Sequence, residues 1–184
     1  MKWKKLGADP RCFEREMSLI STLLLGLPLF MLLTVIAVSC NADGKDNMTN
    51  ATIQEITYHF GDASVPPEYH RSYTVTVTTD RIRIVVDSYG EILTNKGYEI
   101  TNKQFNDIRD SLKRNKIRNC TLTDDEGCTG GTSERISFSD GENEIFSGSV
   151  YHCGGKDTGN LCGDITSFAA DVKNLVPNLE KLLQ

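Results

Sequence analysis

The amino-terminal part of the chain is dominated by one nearly continuous apolar run, from Leu19 to Val38. Five Lys and Arg residues precede this run, and small residues end it. Basic residues followed by an apolar run and then small residues are typical of an export signal. The run has no polar face, which argues against a buried core helix. It is also about long enough to cross a bilayer, so an uncleaved single-pass membrane anchor is an alternative.

From Thr52 onward, apolar and polar positions alternate, and this alternation predicts β-strands. A first strand places Ile56, Tyr58 and Phe60 on one face. The next segment predicts a hairpin whose two-residue turn is Thr79-Asp80. In this register every apolar residue faces an apolar partner, so one face of the hairpin is buried. The predicted pairs are Val77 with Ile82, Val75 with Ile84 and Tyr73 with Val86.

Two helices are predicted from capping residues and from apolar positions at helical spacing. Thr101 and Gln104 form a capping box at the start of the first helix, which extends to about Lys116. Asp164 caps the second helix, and Pro177 interrupts its long apolar stripe, so we expect a kink or a restart there. The apolar positions of the first helix are Phe105, Ile108 and Leu112.

A second hairpin is predicted between the helices, because the dipeptide Asp140-Gly141 favours a two-residue type I′ turn. In that register Ile136 faces Ile145. The sequence also allows a further short strand near Tyr98. The order β-ββ-α-ββ-α predicts an α+β fold with a mainly antiparallel sheet of about five strands and two helices packed on one face.

Charge limits the classes of partner. The chain has a formal net charge of −5. Residues 1–40 carry five basic and three acidic residues, which leaves 15 basic and 22 acidic residues, a net charge of −7, after Cys40. A domain this acidic is a poor binder of nucleic acid. The one basic stretch, residues 109–118, has helical spacing and is interpreted as a solvated helix face.

The apolar run ends at Ala37-Val38-Ser39-Cys40, and the chain turns polar at once. This tetrapeptide resembles the lipobox of bacterial lipoproteins, in which the cysteine receives a diacylglyceryl group before signal peptidase II cuts ahead of it. The resemblance implies a signal peptide over residues 1–39, a lipidated Cys40 with a flexible tether over residues 40–51, and one folded domain over residues 52–184. Two or three acyl chains, palmitate among them, would hold the protein stably in a membrane.

The four cysteines beyond Cys40 predict disulfides, because thiols outside the cytoplasm are readily oxidised. Zinc is an alternative, but the closely spaced cysteine pairs of zinc sites are absent. The register set by the second hairpin places Cys128 opposite Cys153 and leaves Cys120 for Cys162. The alternative is sequential pairing, Cys120 with Cys128 and Cys153 with Cys162.

The sequence carries no recognisable catalytic or metal-binding set. The glycine-rich segment 153–164 does not match a phosphate-binding loop, and the acidic residues 124–126 lack the order of a calcium loop. Ser133 lacks the glycines of a nucleophile elbow. The three histidines, His59, His70 and His152, have no metal-ligand spacing. We therefore predict no cofactor and no enzymatic activity; an enzyme would need a pocket that gathers a histidine with a nucleophile or a carboxylate.

The segments VPPEYHRSYTVTV, CTGGT and CGGKDTGNLCGD resemble small lipoproteins of Bacteroidota-type bacteria. That resemblance implies a cell-envelope location, at the outer membrane or cell surface rather than the inner membrane, and it supplies no catalytic residues. The expected function is a binding or protein-interaction module whose partner is an envelope or extracellular protein or a small ligand. An inhibitor of an envelope hydrolase is an alternative, for which a protruding loop at residues 153–162 would be the supporting feature.

Overall fold

The computed structural model describes residues 52–122 and 130–184, which form one seven-stranded sheet, a two-stranded ribbon and three helices. The predictions about the lipobox and Cys40 lie outside these residues, as do those about residues 124–126 and Cys128. The strands are β1 Glu55–Gly61, β2 Ser72–Thr78, β3 Arg81–Ser88, β4 Glu91–Glu99, β5 Arg118–Asn119, β6 Thr132–Ser139, β7 Glu144–Cys153, β8 Lys156–Gly159 and β9 Leu161–Cys162. The helices are α1 Asn102–Arg114, α2 Ile165–Lys173 and α3 Leu179–Leu182.

The seven-stranded sheet has the order β4-β3-β2-β1-β6-β7-β8, and every neighbouring pair is antiparallel. This order gives the sheet two distinct ends. At the proximal end the described chain enters β1, beside the turns at residues 79–80 and 140–143. At the distal end lie the loop 62–71 and the turns at residues 89–90 and 154–155.

One hydrophobic cluster forms the core, and alternate residues of the central strands supply most of it. Ile56 and Tyr58 on β1 are fully buried and Phe60 packs against the same cluster, so the three residues share one face, as predicted. The register of the β2–β3 hairpin is the predicted one, with Val75 opposite Ile84 and a two-residue turn after Thr78. This register could be predicted because apolar and polar residues alternate, so a shift of one residue would expose every apolar side chain of one strand.

The helix boundaries follow the capping residues. The Thr101 side chain accepts a hydrogen bond from the Gln104 backbone amide, and the Gln104 side chain accepts one from the Thr101 amide, so the predicted capping box is present. Asp164 caps α2 by accepting from the Ser167 amide. The chain breaks its helix before Pro177 and restarts at α3, as predicted. Buried residues of α1 and α2 belong to the same cluster as those of the sheet.

The large sheet has seven strands, whereas about five were predicted. β4 extends over nine residues where only a short strand near Tyr98 was considered. Most of β4 is exposed at the edge of the sheet, so it lacks the alternation that identifies a half-buried strand. The segment 153–162, interpreted as a loop, instead turns at Gly154-Gly155 and pairs back on β7 as β8. Positive φ angles at both glycines, 57° and 87°, make this two-residue turn possible.

The predicted register of the second hairpin is wrong by three residues. Phe138 faces Phe146, and Ile136 faces Gly148 instead of Ile145. The loop spans residues 140–143, because the Asp140 carboxylate accepts hydrogen bonds from the amides of residues 142 and 143. The observed register stacks the rings of Phe138 and Phe146 at 4.7 Å, so packing outweighs the local preference of the Asp-Gly dipeptide.

Candidate functional site

The predicted disulfide between Cys120 and Cys162 is present, with a Cα–Cα distance of 5.8 Å. It joins the short strands β5 and β9, and thereby links the segment after α1 to the segment before α2. This bond excludes both sequential pairings, because each would require a different partner for one of these cysteines. The predicted pair of Cys128 with Cys153 lies partly outside the described residues, although Cys153 itself is not a free thiol.

One of the three histidines is gathered with carboxylates near the distal end. The Nε2 atom of His152 lies 3.0 Å from Glu134 on β6, and its Nδ1 atom lies 2.8 Å from Asp157 on β8. The register places His152 directly opposite Asp157 and diagonally from Glu134. Partial burial lowers the pKa of His152, but the hydrogen bonds to Asp157 and Glu134 outweigh it, so the pKa is raised overall. The His152 ring therefore links three neighbouring strands through its contacts with Glu134 and Asp157.

A buried tyrosine extends this network into the core. The hydroxyl of Tyr58 donates to the second oxygen of Glu134 at 2.5 Å, and Tyr58 is fully buried. Burial raises the pKa of Tyr58 far above its usual value, and the hydrogen bond to Glu134 raises it further. The ammonium group of Lys173 lies 5.7 Å from the centre of the Tyr58 ring. Tyr58, Glu134, His152 and Asp157 are called the distal network below.

The chemistry open to the distal network is limited by its own hydrogen bonds. Both ring nitrogens of His152 lie within hydrogen-bonding distance of carboxylates, so neither nitrogen is free to take a proton from a bound molecule. The Tyr58 hydroxyl is buried and holds its proton towards Glu134. The distal network is suited to stabilising the pairing of β6, β7 and β8. None of its four residues is an activated nucleophile.

The other two histidines have separate surroundings. His59 lies on the face of β1 opposite Tyr58, and its Nδ1 atom is 3.0 Å from the Thr74 hydroxyl. Burial lowers the pKa of His59, and this outweighs the opposing effect of Asp87. His70 is buried beneath the exposed ring of Tyr89, with 3.9 Å between the ring centres. The structure therefore does not gather the histidines into one pocket.

A second feature of the distal end is a cluster of exposed apolar side chains. Among the described residues, the large apolar side chains that are most exposed are Tyr69, Tyr89, Ile92 and Leu93, at 70, 57, 62 and 43 %. All four lie on loop 62–71 or on the turn and strand start at residues 89–93. These four residues are called the distal patch. The segments VPPEY and YGEIL contain its side chains, but nothing in the sequence pattern indicates that the fold brings these segments together.

Hydrogen bonds and a ring contact hold together the two segments that carry the distal patch. The Tyr89 hydroxyl donates to the Val65 carbonyl at 2.6 Å, and the Ser88 hydroxyl donates to the Pro67 carbonyl at 2.8 Å. The stack of Tyr89 on His70 adds a third connection. Loop 62–71 is therefore held against the β3–β4 turn.

Tyr89 occupies a backbone conformation that is unfavourable for a large side chain. Its φ angle is 50°, and the following Gly90 has a φ of 90°. A two-residue hairpin turn with positive φ angles favours Asn, Asp or Gly, so an aromatic residue there costs about 1 kcal/mol or more. The hydrogen bond to Val65 and the stack on His70 offset part of that cost.

Comparisons with protein-family models, with curated proteins and with solved structures find no match to this chain. Over residues 52–122 and 130–184, no helix is both long enough and apolar enough to span a bilayer. In the same ranges, no group of three or more His, Cys, Asp and Glu side chains is arranged to hold a metal ion.

Proposed function

We propose that this protein is a lipid-anchored protein-interaction module of the bacterial cell envelope, and that its folded domain binds a partner protein through the distal patch. The lipobox-like segment ending at Cys40 supports the anchor. We also propose that helices α1 and α2 cover the same face of the sheet. Their buried residues support this, because they belong to a single core cluster.

The observation that carries the binding role is that the four most exposed large apolar side chains of the described residues all lie at one end of the sheet, on two segments that contact each other. Isolated exposed apolar residues are common, but a contiguous group marks an interaction site in a soluble domain. The distal patch combines two tyrosines with two aliphatic side chains, and aromatic residues are enriched at the centres of protein interfaces. The unfavourable φ angle of Tyr89 is consistent with selection for binding instead of for stability.

The position of the distal patch suits an anchored module. The tether would join the described chain at the start of β1, which is the proximal end. The seven residues of β1 separate that point from loop 62–71, a distance of roughly 20 Å. A partner could therefore reach the distal patch on the side away from the tether.

The binding role is tested by photo-crosslinking of the full-length protein in cells. The crosslinking residue p-benzoylphenylalanine replaces Ile92, and a matched control places it at Glu142, which is exposed at the proximal end. We expect a discrete protein adduct from position 92 and none from position 142. The adduct's protein component is then purified, and its affinity for the module should fall at least about tenfold with Leu93→Asp. Equal adducts at both positions, or an affinity unaffected by Leu93→Asp, would refute the proposal.

The anchor is tested separately by intact mass of the membrane-extracted protein. We expect a mass equal to residues 40–184 plus a diacylglyceryl or triacyl group. An unprocessed mass would favour the single-pass anchor instead.

A further inference from the structure

We infer that the partner of the distal patch presents a basic segment with interspersed apolar side chains. This inference rests on the proposed function and names the chemistry of the partner. It follows from the charges that surround the distal patch and from the shape of the neighbouring strand edge.

The surroundings of the distal patch are acidic. Residues 62–71 and 87–93 carry four carboxylates and one arginine. The guanidinium of Arg71 is already engaged, because it donates to the carbonyls of His70 and Gln184. Glu68 and Glu91 are exposed, and each directly precedes a member of the distal patch in the sequence. Four carboxylates against one arginine leave these segments net negative. Neither Glu68 nor Glu91 forms an ion pair with another described residue, so both would attract Lys or Arg of a partner.

The same charges disfavour the two other occupants that an apolar patch could have. A second copy docking through the same surface would bring the acidic residues of both copies face to face, at a cost in free energy. A bacterial membrane surface is anionic and would repel Glu68 and Glu91. A basic protein segment is the occupant whose charge complements the site.

The edge strand β4 supports side-chain docking instead of addition of a further strand. Ile92 and Leu93 lie at the start of β4, on the outer edge of the sheet. The β3–β4 register shifts at this point, because Val86 pairs with Thr94 and Asp87 pairs with Ile92, which leaves Leu93 without a partner in the ladder. Such a bulge interrupts the regular row of backbone groups that a new strand would need. Affinity must then come from apolar side chains and rim charges.

The inference is tested with two synthetic peptides of about twelve residues and the full-length protein in detergent. One peptide alternates lysine with valine and tyrosine; its twin carries glutamate in place of every lysine. We expect the lysine peptide to bind with at least about tenfold lower Kd than its twin by fluorescence anisotropy. We also expect the preference to shrink as salt rises from about 50 to 200 mM, because rim charges are screened.

A charge-reversed pair of variants locates the effect. Glu68→Lys with Glu91→Lys should weaken binding of the lysine peptide about tenfold. The control, Glu142→Lys with Glu144→Lys, makes the same change in net charge at exposed proximal positions and should change Kd less than about threefold. Equal effects of the two double variants would show that only overall charge matters and would overturn the inference.

Other outcomes also overturn the inference, and the two peptide outcomes leave the crosslinking test of the proposed function intact. Equal binding of both peptides would mean that the site does not select charge, and binding of neither would mean that it does not take a short basic segment. A homodimeric adduct from position 92 would identify a second copy as the occupant. Lipid adducts from position 92 in vesicles of phosphatidylethanolamine and phosphatidylglycerol would identify the membrane as the occupant and would refute the proposed function as well.

Discussion

The hydrogen bond from Tyr58 to Glu134 should be one of the most stabilising polar contacts of the domain. It spans 2.5 Å, its donor is fully buried, and the Glu134 side chain is only 13 % exposed. Hydrogen bonds to charged groups contribute about 1.5 to 3 kcal/mol, and a carboxylate that loses its partner is not fully rehydrated at such a site. Tyr58→Phe removes the hydroxyl alone, and we expect it to lower the free energy of unfolding by about 2 kcal/mol.

The measurement is urea-induced unfolding followed by circular dichroism near pH 6, with a check that the m-value is unchanged. Tyr98→Phe is the matched control, because Tyr98 is half-buried on β4 and its hydroxyl has no hydrogen bond within the described residues. The control should cost less than about 0.5 kcal/mol. In a Glu134→Gln background the cost of Tyr58→Phe should fall by about 1 kcal/mol, because the acceptor is no longer charged. If Tyr58→Phe costs no more than the control, the network does not stabilise the fold as argued.

Three further predictions concern the helix cap, the disulfide and the histidine. Thr101→Ala should lower the free energy of unfolding by about 1 kcal/mol and Thr101→Ser by much less, measured by urea unfolding; equal losses would contradict the capping argument. Replacing Cys120 and Cys162 together by alanine should cost about 2 to 4 kcal/mol, because the bond closes a loop with a sequence separation of 42, and an unchanged melting temperature would count against it. The folded state raises the pKa of His152 above 6.5, so the stabilisation lost in His152→Gln should be largest below pH 6.5 and should vanish as pH rises through the folded value. Since the side chain is 34 % exposed, the difference should stay below about 1 kcal/mol in a pH series of urea curves, and a difference that grows with pH would refute the assignment.

The first hairpin could be predicted from the sequence because its alternation leaves one acceptable register. In the second hairpin the turn signal at Asp140-Gly141 was local, whereas the stacking of Phe138 on Phe146 depends on the folded pair of strands. The number of strands was underestimated for a related reason. An exposed edge strand such as β4 has no buried face, so its sequence carries little periodic signal.

The candidate sites were less predictable than the fold because strand register decides them. A shift of three residues is odd, so it exchanges the two faces of β7 relative to β6. In the predicted register His152 would have lain on the opposite face from Glu134; in the observed one they are 3.0 Å apart. The distal patch, likewise, joins segments near Tyr69 and Ile92 that only the order of the sheet brings to one end.

The position of β1 has a mechanical consequence for an anchored protein. The tether would join β1 directly, and β1 is hydrogen-bonded on both sides, to β2 and to β6. Tension between the membrane and a partner held at the far end would act along this strand, perpendicular to its hydrogen bonds. Both rows of bonds would then be loaded in shear at the same time, and they would have to break together instead of opening one by one. The strand that receives the pulling force is therefore among the strands that are hardest to extract.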